Sequence, residues 1–233
     1  MKIKLNDKDI KIKIRLSNVS VNSEFDVLGY SGTEEPINSY LNYSKDIFKN
    51  WDSEQVLMNR FRNDKNLVFC PLVDTSKAEN VQSMFSGCVN LIQVPLIDTS
   101  SVVHFDDMFY NCNSLTTIPQ FNTSSLYSAN LMLAGCSKLV SVPLMDFGKA
   151  EQLRSMLLGC SELTDLKGFT NLSVSLDLSS SRKLTADSIM NVINEAKDLS
   201  ETGSATLTLG STNISKLTEE QIAIASAKGW TLA

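Results

Sequence analysis

The sequence holds one histidine, His104, has no surplus of positive charge, and carries no uninterrupted apolar run near its start. Each of these lacks excludes a class of function. With 21 basic against 26 acidic residues and a formal net charge of -5, no field draws the chain to a phosphate backbone or an anionic membrane, so nucleic acid is not an expected partner. Met1 to Leu16 alternates lysines with aliphatics; it reads as neither a signal peptide nor a membrane span, and membrane insertion is not expected. A lone histidine leaves acid–base or zinc chemistry without partners unless other ligands gather around it. Five cysteines, Cys70, Cys88, Cys112, Cys136 and Cys160, are an odd number and make a poor disulfide framework.

What the chain does have is a period. Cys88, Cys112, Cys136 and Cys160 fall 24 residues apart, each followed three residues later by Leu91, Leu115, Leu139 or Leu163 and preceded by four residues by Met84, Met108, Met132 or Met156. Pro95, Pro119 and Pro143 stand seven residues after the first three cysteines, and the frame run backwards puts Asp64 in the cysteine slot of an earlier copy, with Leu67 and Pro71 behind it. A fixed period in this range marks a solenoid, in which each repeat is one supersecondary unit stacked on its neighbours. A column of stacked cysteines behaves as small buried apolar residues, so free thiols are expected.

The columns have physical readings. Leu91 to Pro95 predicts a short strand with Leu91 and Val94 facing inward, ended by a proline that cannot donate to a ladder. Asp74-Thr75-Ser76, Asp98-Thr99-Ser100 and Asn122-Thr123-Ser124 predict turns and helix starts. Val102, Phe105, Met108, Phe109 and Cys112 recur at spacings of three and four, which predicts one face of a short helix on the outer side of the coil. Gly87, Asn111, Gly135 and Gly159, just before each cysteine, are the residue types that tolerate the left-handed conformation closing a helix.

The two ends read as caps. Residues 2–16 predict a β-hairpin turning at Asn6 to Asp9, with Ile3, Leu5, Ile10, Ile12, Ile14 and Leu16 on one face and lysines on the other; it serves either as an edge-protected cap or as a docking segment through which the chain assembles. Residues 17–36 read as a loop, and 37–61 as one or two helices with Ser53 as N-cap. After Cys160 the frame weakens, and the predicted order is a strand over Val174 to Leu178, a helix over Thr185 to Leu199, a strand over Ala205 to Leu209, a helix over Thr218 to Lys228 with a capping box from Thr218 and Gln221, and a strand over Gly229 to Leu232. The parts are 1–63 as N-terminal hairpin and helical cap, 64–170 as the array and 171–233 as C-terminal capping repeats, all one continuous domain.

The string Met84 to Ser100, repeated with Asn122 for Asp as Met108 to Ser124, resembles the leucine-rich repeats of BspA-like bacterial surface proteins and the related mycoplasma lipoprotein surface repeat. The tail from Leu217 to Leu232 is similar to the closing segment of leucine-rich-repeat proteins of gut bacteria and their phages. The resemblance covers about two-thirds of the chain and implies an α/β leucine-rich-repeat solenoid, a right-handed coil of short strands and short helices. It implies adhesion or protein binding at a bacterial surface, with a protein or surface glycan as ligand, and brings no catalytic residues. The surface proteins begin with a leader or lipid-attachment cysteine; the start MKIKLNDKDI instead suits assembly in the cytoplasm, as in a phage or prophage virion component. A structural virion or tail part, with the solenoid as spacer or display element, is the alternative role.

No enzyme, cofactor or metal is expected. His104 has Asp106 and Asp107 beside it, but its equivalents in neighbouring repeats are Asn80, Ser128 and Gln152, so no ligand set repeats. Thiolates stacked on one line do not surround an ion. The column Asp74, Asp98, Asn122, Asp146 supplies one side chain per repeat, which turn formation explains better than calcium. Function is expected where side chains vary over the invariant scaffold: the strand-face row Phe69, Gln93, Thr117, Ser141 and Asp165 as candidate ligand-binding residues, with Glu79, Val103, Tyr127 and Glu151 varying on the opposite segment.

Overall fold

The computed structural model describes residues 57–70 and 75–233, and the backbone of 2–5 and 8–11. The chain divides into two compact units, residues 1–39 and 40–233; the boundary falls inside the 1–63 segment that the sequence reading groups together. In the first unit β1 (Lys2–Leu5) pairs antiparallel with β2 (Lys8–Lys11), Ile3 opposite Ile10. The hairpin is tighter than expected, since Asp9 sits in β2 opposite Lys4 rather than in the turn. Residues 12–56, with the expected continuation to Leu16, the loop and the helix N-capped by Ser53, lie outside the described residues; Leu57 to Phe61, the end of that expected helix, form turns with Asn59 at φ 60.

The second unit is a repeat fold whose successive copies bond to one another in a register of 24. The expected helix at Val102 to Cys112 and its counterparts is absent: among the described residues, none from 57 to 170 is helical. Val81, Ser83, Phe85 and Gly87 instead donate their N–H groups to the carbonyls of His104, Asp106, Met108 and Tyr110 in the next repeat, at 2.7 to 3.1 Å. The same four bonds recur from Leu57, Asn59, Phe61 and Asn63, from Phe105, Asp107, Phe109 and Asn111, and from Ala129, Leu131, Leu133 and Gly135. The N–H groups of Met84, Ser86 and Cys88 turn back to Val81, Ser83 and Phe85. A helix would need every N–H for its own i−4 carbonyl, and half of them are committed to the neighbour. The three-and-four spacing nonetheless marks burial correctly, because tight turns bring Val81, Met84, Phe85 and Cys88 to one face, all fully buried.

Two columns per repeat take left-handed backbone. Gly87, Asn111, Gly135 and Gly159 lie at φ 57 to 79, as the residue types imply, although no helix ends there. Ser83, Asp107, Leu131 and Ser155 lie at φ 52 to 55, where side chains carry strain. The turn accepts Asn or Gly, but at Gly135 an added Cβ would sit 2.2 Å from Asn111 Oδ1, so glycine suits the copy that follows an asparagine.

Inside the array the columns are continuous. Phe61, Phe85 and Phe109 stack with centroids 5.3 and 5.4 Å apart and planes within 2° and 4° of parallel. Leu91 and Val94 face inward as expected. The strand segment is very short: β3 (Ser141–Val142) pairs parallel with β5 (Asp165–Leu166), and beyond the proline corner β4 (Met145–Asp146) pairs with β6 (Phe169–Thr170). The Thr99 hydroxyl donates to the Asn122 carbonyl at 2.9 Å. Asp98, Asn122 and Asp146 each accept the N–H two residues on, at 2.9, 3.1 and 2.9 Å, the turn role expected of that column.

From residue 171 the pattern changes to β7 (Leu176–Asp177), α1 (Ala186–Glu195), β8 (Ala205–Thr208), α2 (Gly210–Ile214), α3 (Glu219–Ala227) and β9 (Trp230–Leu232), with β7, β8 and β9 parallel in that order. Thr185 caps α1, and the Thr218–Gln221 capping box starts α3. The five-residue α2, unsignalled by its Gly-Ser-Thr-Asn-Ile composition, seats Asn213 in the interior, its amide turned to the carbonyls of Leu178, Ser181 and Leu209.

All five cysteines are free and buried. The thiols of Cys88, Cys112, Cys136 and Cys160 donate to the carbonyls of Phe61, Phe85, Phe109 and Leu133, 27 residues earlier, at 2.9 to 3.2 Å. Burial pushes Cys88 and Cys160 up to about 12 and raises Cys70, Cys112 and Cys136 as well. The unfolded chain sheds these protons near the ordinary thiol value of about 8.5 while the native state keeps them, so their contribution to stability is full below that value and declines from there toward about 12. We therefore expect denaturant unfolding free energy to fall between pH 8.5 and 10.5 by up to about 1.4 kcal/mol per pH unit per thiol, with a shallower fall in Cys136→Ala; equal slopes in the two chains contradict this. A thiol reagent should modify the cysteines only under unfolding conditions. Leu115→Ala, in a fully buried mid-array position, should cost about 2 to 5 kcal/mol in the same assay.

Candidate functional site

Three of the four steps along the strand-face row are paired. Phe69 bridges Gln93, Thr117 bridges Ser141, and Ser141 pairs with Asp165, all parallel. Ile92 and Val140 carry the backbone bonding along the same segments, through Ile92 N–H to Val68 O and Val140 N–H to Thr116 O, both 2.9 Å. Parallel pairing sets paired members about 4.8 Å apart, so Phe69 and Gln93 make one short file and Thr117, Ser141 and Asp165 another, joined by the longer Thr116 N–H to Ile92 O bond of 3.4 Å. Gln93 and Thr117 are exposed, and Phe69, Ser141 and Asp165 are half-buried. The row ends in an ion pair, Asp165 to Lys167 at 2.6 Å.

The same short segments expose apolar side chains that the sequence reading passed over. Ile92, Leu96, Val140 and Leu144 are 37%, 65%, 45% and 39% accessible. They are paired in alternate repeats, with Thr116, Thr117 and Gln120 between them, and the Gln120 amide donates to the Leu144 carbonyl. The signal was available in the frame, since Leu96 and Leu144 occupy the position after the proline, where an apolar residue has no interior to fill.

A second ladder runs along the turn segments. Asn80, His104, Ser128 and Gln152 bridge in parallel, and Val103, Tyr127 and Glu151 donate to the carbonyl 24 residues earlier at 2.9 Å each. The varying residues expected here build cross-repeat contacts: Tyr127 OH donates to Glu151 Oε2 at 3.0 Å, and the His104 ring meets Tyr127 edge-on at 6.1 Å. His104 is not isolated. Its Nδ1 lies 2.9 Å from Ser128 Oγ, whose hydroxyl donates to Asp106 Oδ2 at 2.5 Å, and Asp106 Oδ1 accepts the Asn130 N–H at 2.9 Å.

Histidine, serine and aspartate are the residue types of nucleophilic catalysis, but their order here is wrong for it. An activated serine gives its proton to an imidazole that the carboxylate orients. Ser128 gives its only proton to Asp106 and so has none to give to His104. Ser128 is also 3% exposed, out of reach of a substrate. The cluster ties one repeat to the next. Burial raises Asp107 above its usual carboxylate value, with the Asp106 charge adding to the rise and Arg62 opposing it. The cysteine column is one line of protonated thiols, each already donating to a carbonyl, and among the described residues no group of three or more His, Cys, Asp or Glu side chains is placed to hold a metal.

Comparison with known proteins bears on the repeat. Residues 55–169, about half of the chain, match the family described as "Mycoplasma protein of unknown function, DUF285". No curated protein sequence matches. Among solved structures, the leucine-rich-repeat protein of T. pallidum (TpLRR) superposes with a TM-score of 0.51 at 18% identity, covering 76% of this chain and 77% of that one; at that identity the likeness is one of fold. With the 24-residue columns of Met, Cys, Leu and Pro, these findings show that residues 55–169 belong to the mycoplasma and BspA-like surface repeat family, a leucine-rich-repeat fold.

Proposed function

We propose that this chain is a non-enzymatic recognition or adhesion module, surface- or virion-associated in a bacterium or its phage. In this reading residues 64–170 form a right-handed solenoid with capping segments at both ends, and its ligand, a protein or a surface glycan, meets the row Phe69, Gln93, Thr117, Ser141 and Asp165. One observation carries it. From the second copy on the interior columns hardly change, whereas the row runs from aromatic through amide and two hydroxyls to carboxylate, on a backbone paired at three of its four steps. An interior that repeats gives rigidity at no cost in variety outside, the arrangement by which repeat proteins build extended binding surfaces. The exposed apolar side chains Ile92 and Leu96, and Val140 and Leu144, add two apolar contacts beside the row.

The test is capture. The intact chain, immobilised, should retain a component of bacterial surface fractions, and the double variant Gln93→Glu, Thr117→Arg should retain at least about ten-fold less while unfolding at the same denaturant concentration. Both positions are exposed, so loss through misfolding is not expected. Equal retention by both chains moves recognition off this face, and retention of virion proteins alone favours the structural role.

A further inference from the structure

The ladder Asn80, His104, Ser128, Gln152 stops at Gln152 with its next rung unfilled. In the rungs before it, the residue preceding each ladder position offers its carbonyl to the following repeat, as Glu79 does to Val103 and Val103 to Tyr127. The residue after each position gives its N–H, as Val81 does to His104, Phe105 to Ser128 and Ala129 to Gln152. At the last position the corresponding groups are Glu151 C=O and Leu153 N–H, and among the described residues neither has a hydrogen-bond partner. The residues 24 further on do not complete the rung, because Leu176 and Asp177 pair with β8 instead. Where the chain departs from the array it leaves a groove of about 590 Å³, lined by Glu151, Gln152, Leu153 and Arg154 on one side and Val174 and Ser175 on the other.

We infer that this groove receives an extended segment of a partner protein as the next parallel rung of the ladder. A carbonyl and an N–H two residues apart on one edge are what a parallel strand needs from its neighbour. The array's own register then sets the segment's chemistry. Its first residue lies beside Glu151, the third beside the buried Leu153 and the half-buried Val174, and the fourth beside Arg154. Glu151 and Arg154 are both exposed, with no ion pair among the described residues; the Tyr127 hydroxyl occupies Glu151 Oε2 and leaves its charge uncompensated. The fitting segment is basic, polar, apolar, acidic, in that order. This site lies on the turn-side ladder rather than on the strand-face row, so it stands or falls separately from the reading above.

The probe is a blocked nine-residue peptide centred on Lys-Ser-Val-Asp, titrated into the full chain and followed by amide NMR. Saturable binding should move the Leu153 amide among the largest shifts. Exchange of the Lys and Asp should weaken binding about five- to ten-fold. N-methylation of the peptide lysine, which removes the N–H aimed at Glu151 C=O, should weaken it about five-fold. The double variant Glu151→Lys, Arg154→Glu, changed only at exposed side chains, should reverse the charge preference. An unmoved Leu153 amide, or equal binding of the methylated peptide, overturns the inference. So does self-association of the chain that the double variant abolishes, which would assign the groove to a second copy.

Discussion

The fold rests on one bonding constraint: in the four turn segments that begin at Leu57, Val81, Phe105 and Ala129 every second N–H reaches the carbonyl of the next repeat, four times per repeat and in the same sense. Any insertion or deletion inside a repeat would shift these donors against their acceptors, which is why the period is 24 in all three intervals from Cys88 to Cys160 and the columns do not drift. The same bonds hold neighbouring backbones close enough for the phenylalanine rings to stack and for each thiol to reach a carbonyl 27 residues back. Tertiary order here is largely backbone order, with side chains selected to fit columns already in place.

That division explains what could be read from the residues alone. The interior was legible because the sequence repeats it: Met84, Met108, Met132 and Met156 are all fully buried, as are the four cysteines of the next column. The left-handed column at Gly87, Asn111, Gly135 and Gly159 was legible because few residue types adopt it at low cost. Its companion at Ser83, Asp107, Leu131 and Ser155 was not, since those side chains announce no such conformation and only the inter-repeat bonds hold them there. The helix was misread for the same reason. Spacings of three and four report which side chains share a face, and a chain of tight turns shares faces at nearly the helical interval while sending its N–H groups elsewhere.

The candidate surfaces show a similar split. The row from Phe69 to Asp165 followed from the frame by counting. The His104, Ser128 and Asp106 contact also obeys the frame, 24 residues forward and then 22 back, yet it asks which side chains lean across a repeat boundary, a question composition does not address. Its chemistry differs from its membership, since the hydroxyl proton is committed to a carboxylate. The exposed leucines at 96 and 144 show how a column with no interior to fill can be mistaken for scaffold.

The direction of the inter-repeat bonds carries an electrical consequence. In a β-ladder the peptide dipoles of neighbouring groups alternate and largely cancel. Here the peptide groups that join Leu57–Asn63 to the next copy, and their counterparts in the following repeats, all turn their N–H ends toward the C-terminal side of the array and their carbonyls back. Aligned dipoles of this kind sum, as they do along a helix, to partial charge at the two ends. The stack therefore has a polarity at right angles to the one set by chain direction in its short strands. The positive end of this row lies at the N–H groups of Leu153, Ser155, Leu157 and Gly159, and the reverse bonds of Val103, Tyr127, Glu151, Ile92 and Val140 offset part of it, so the partial charge is local to the turn face.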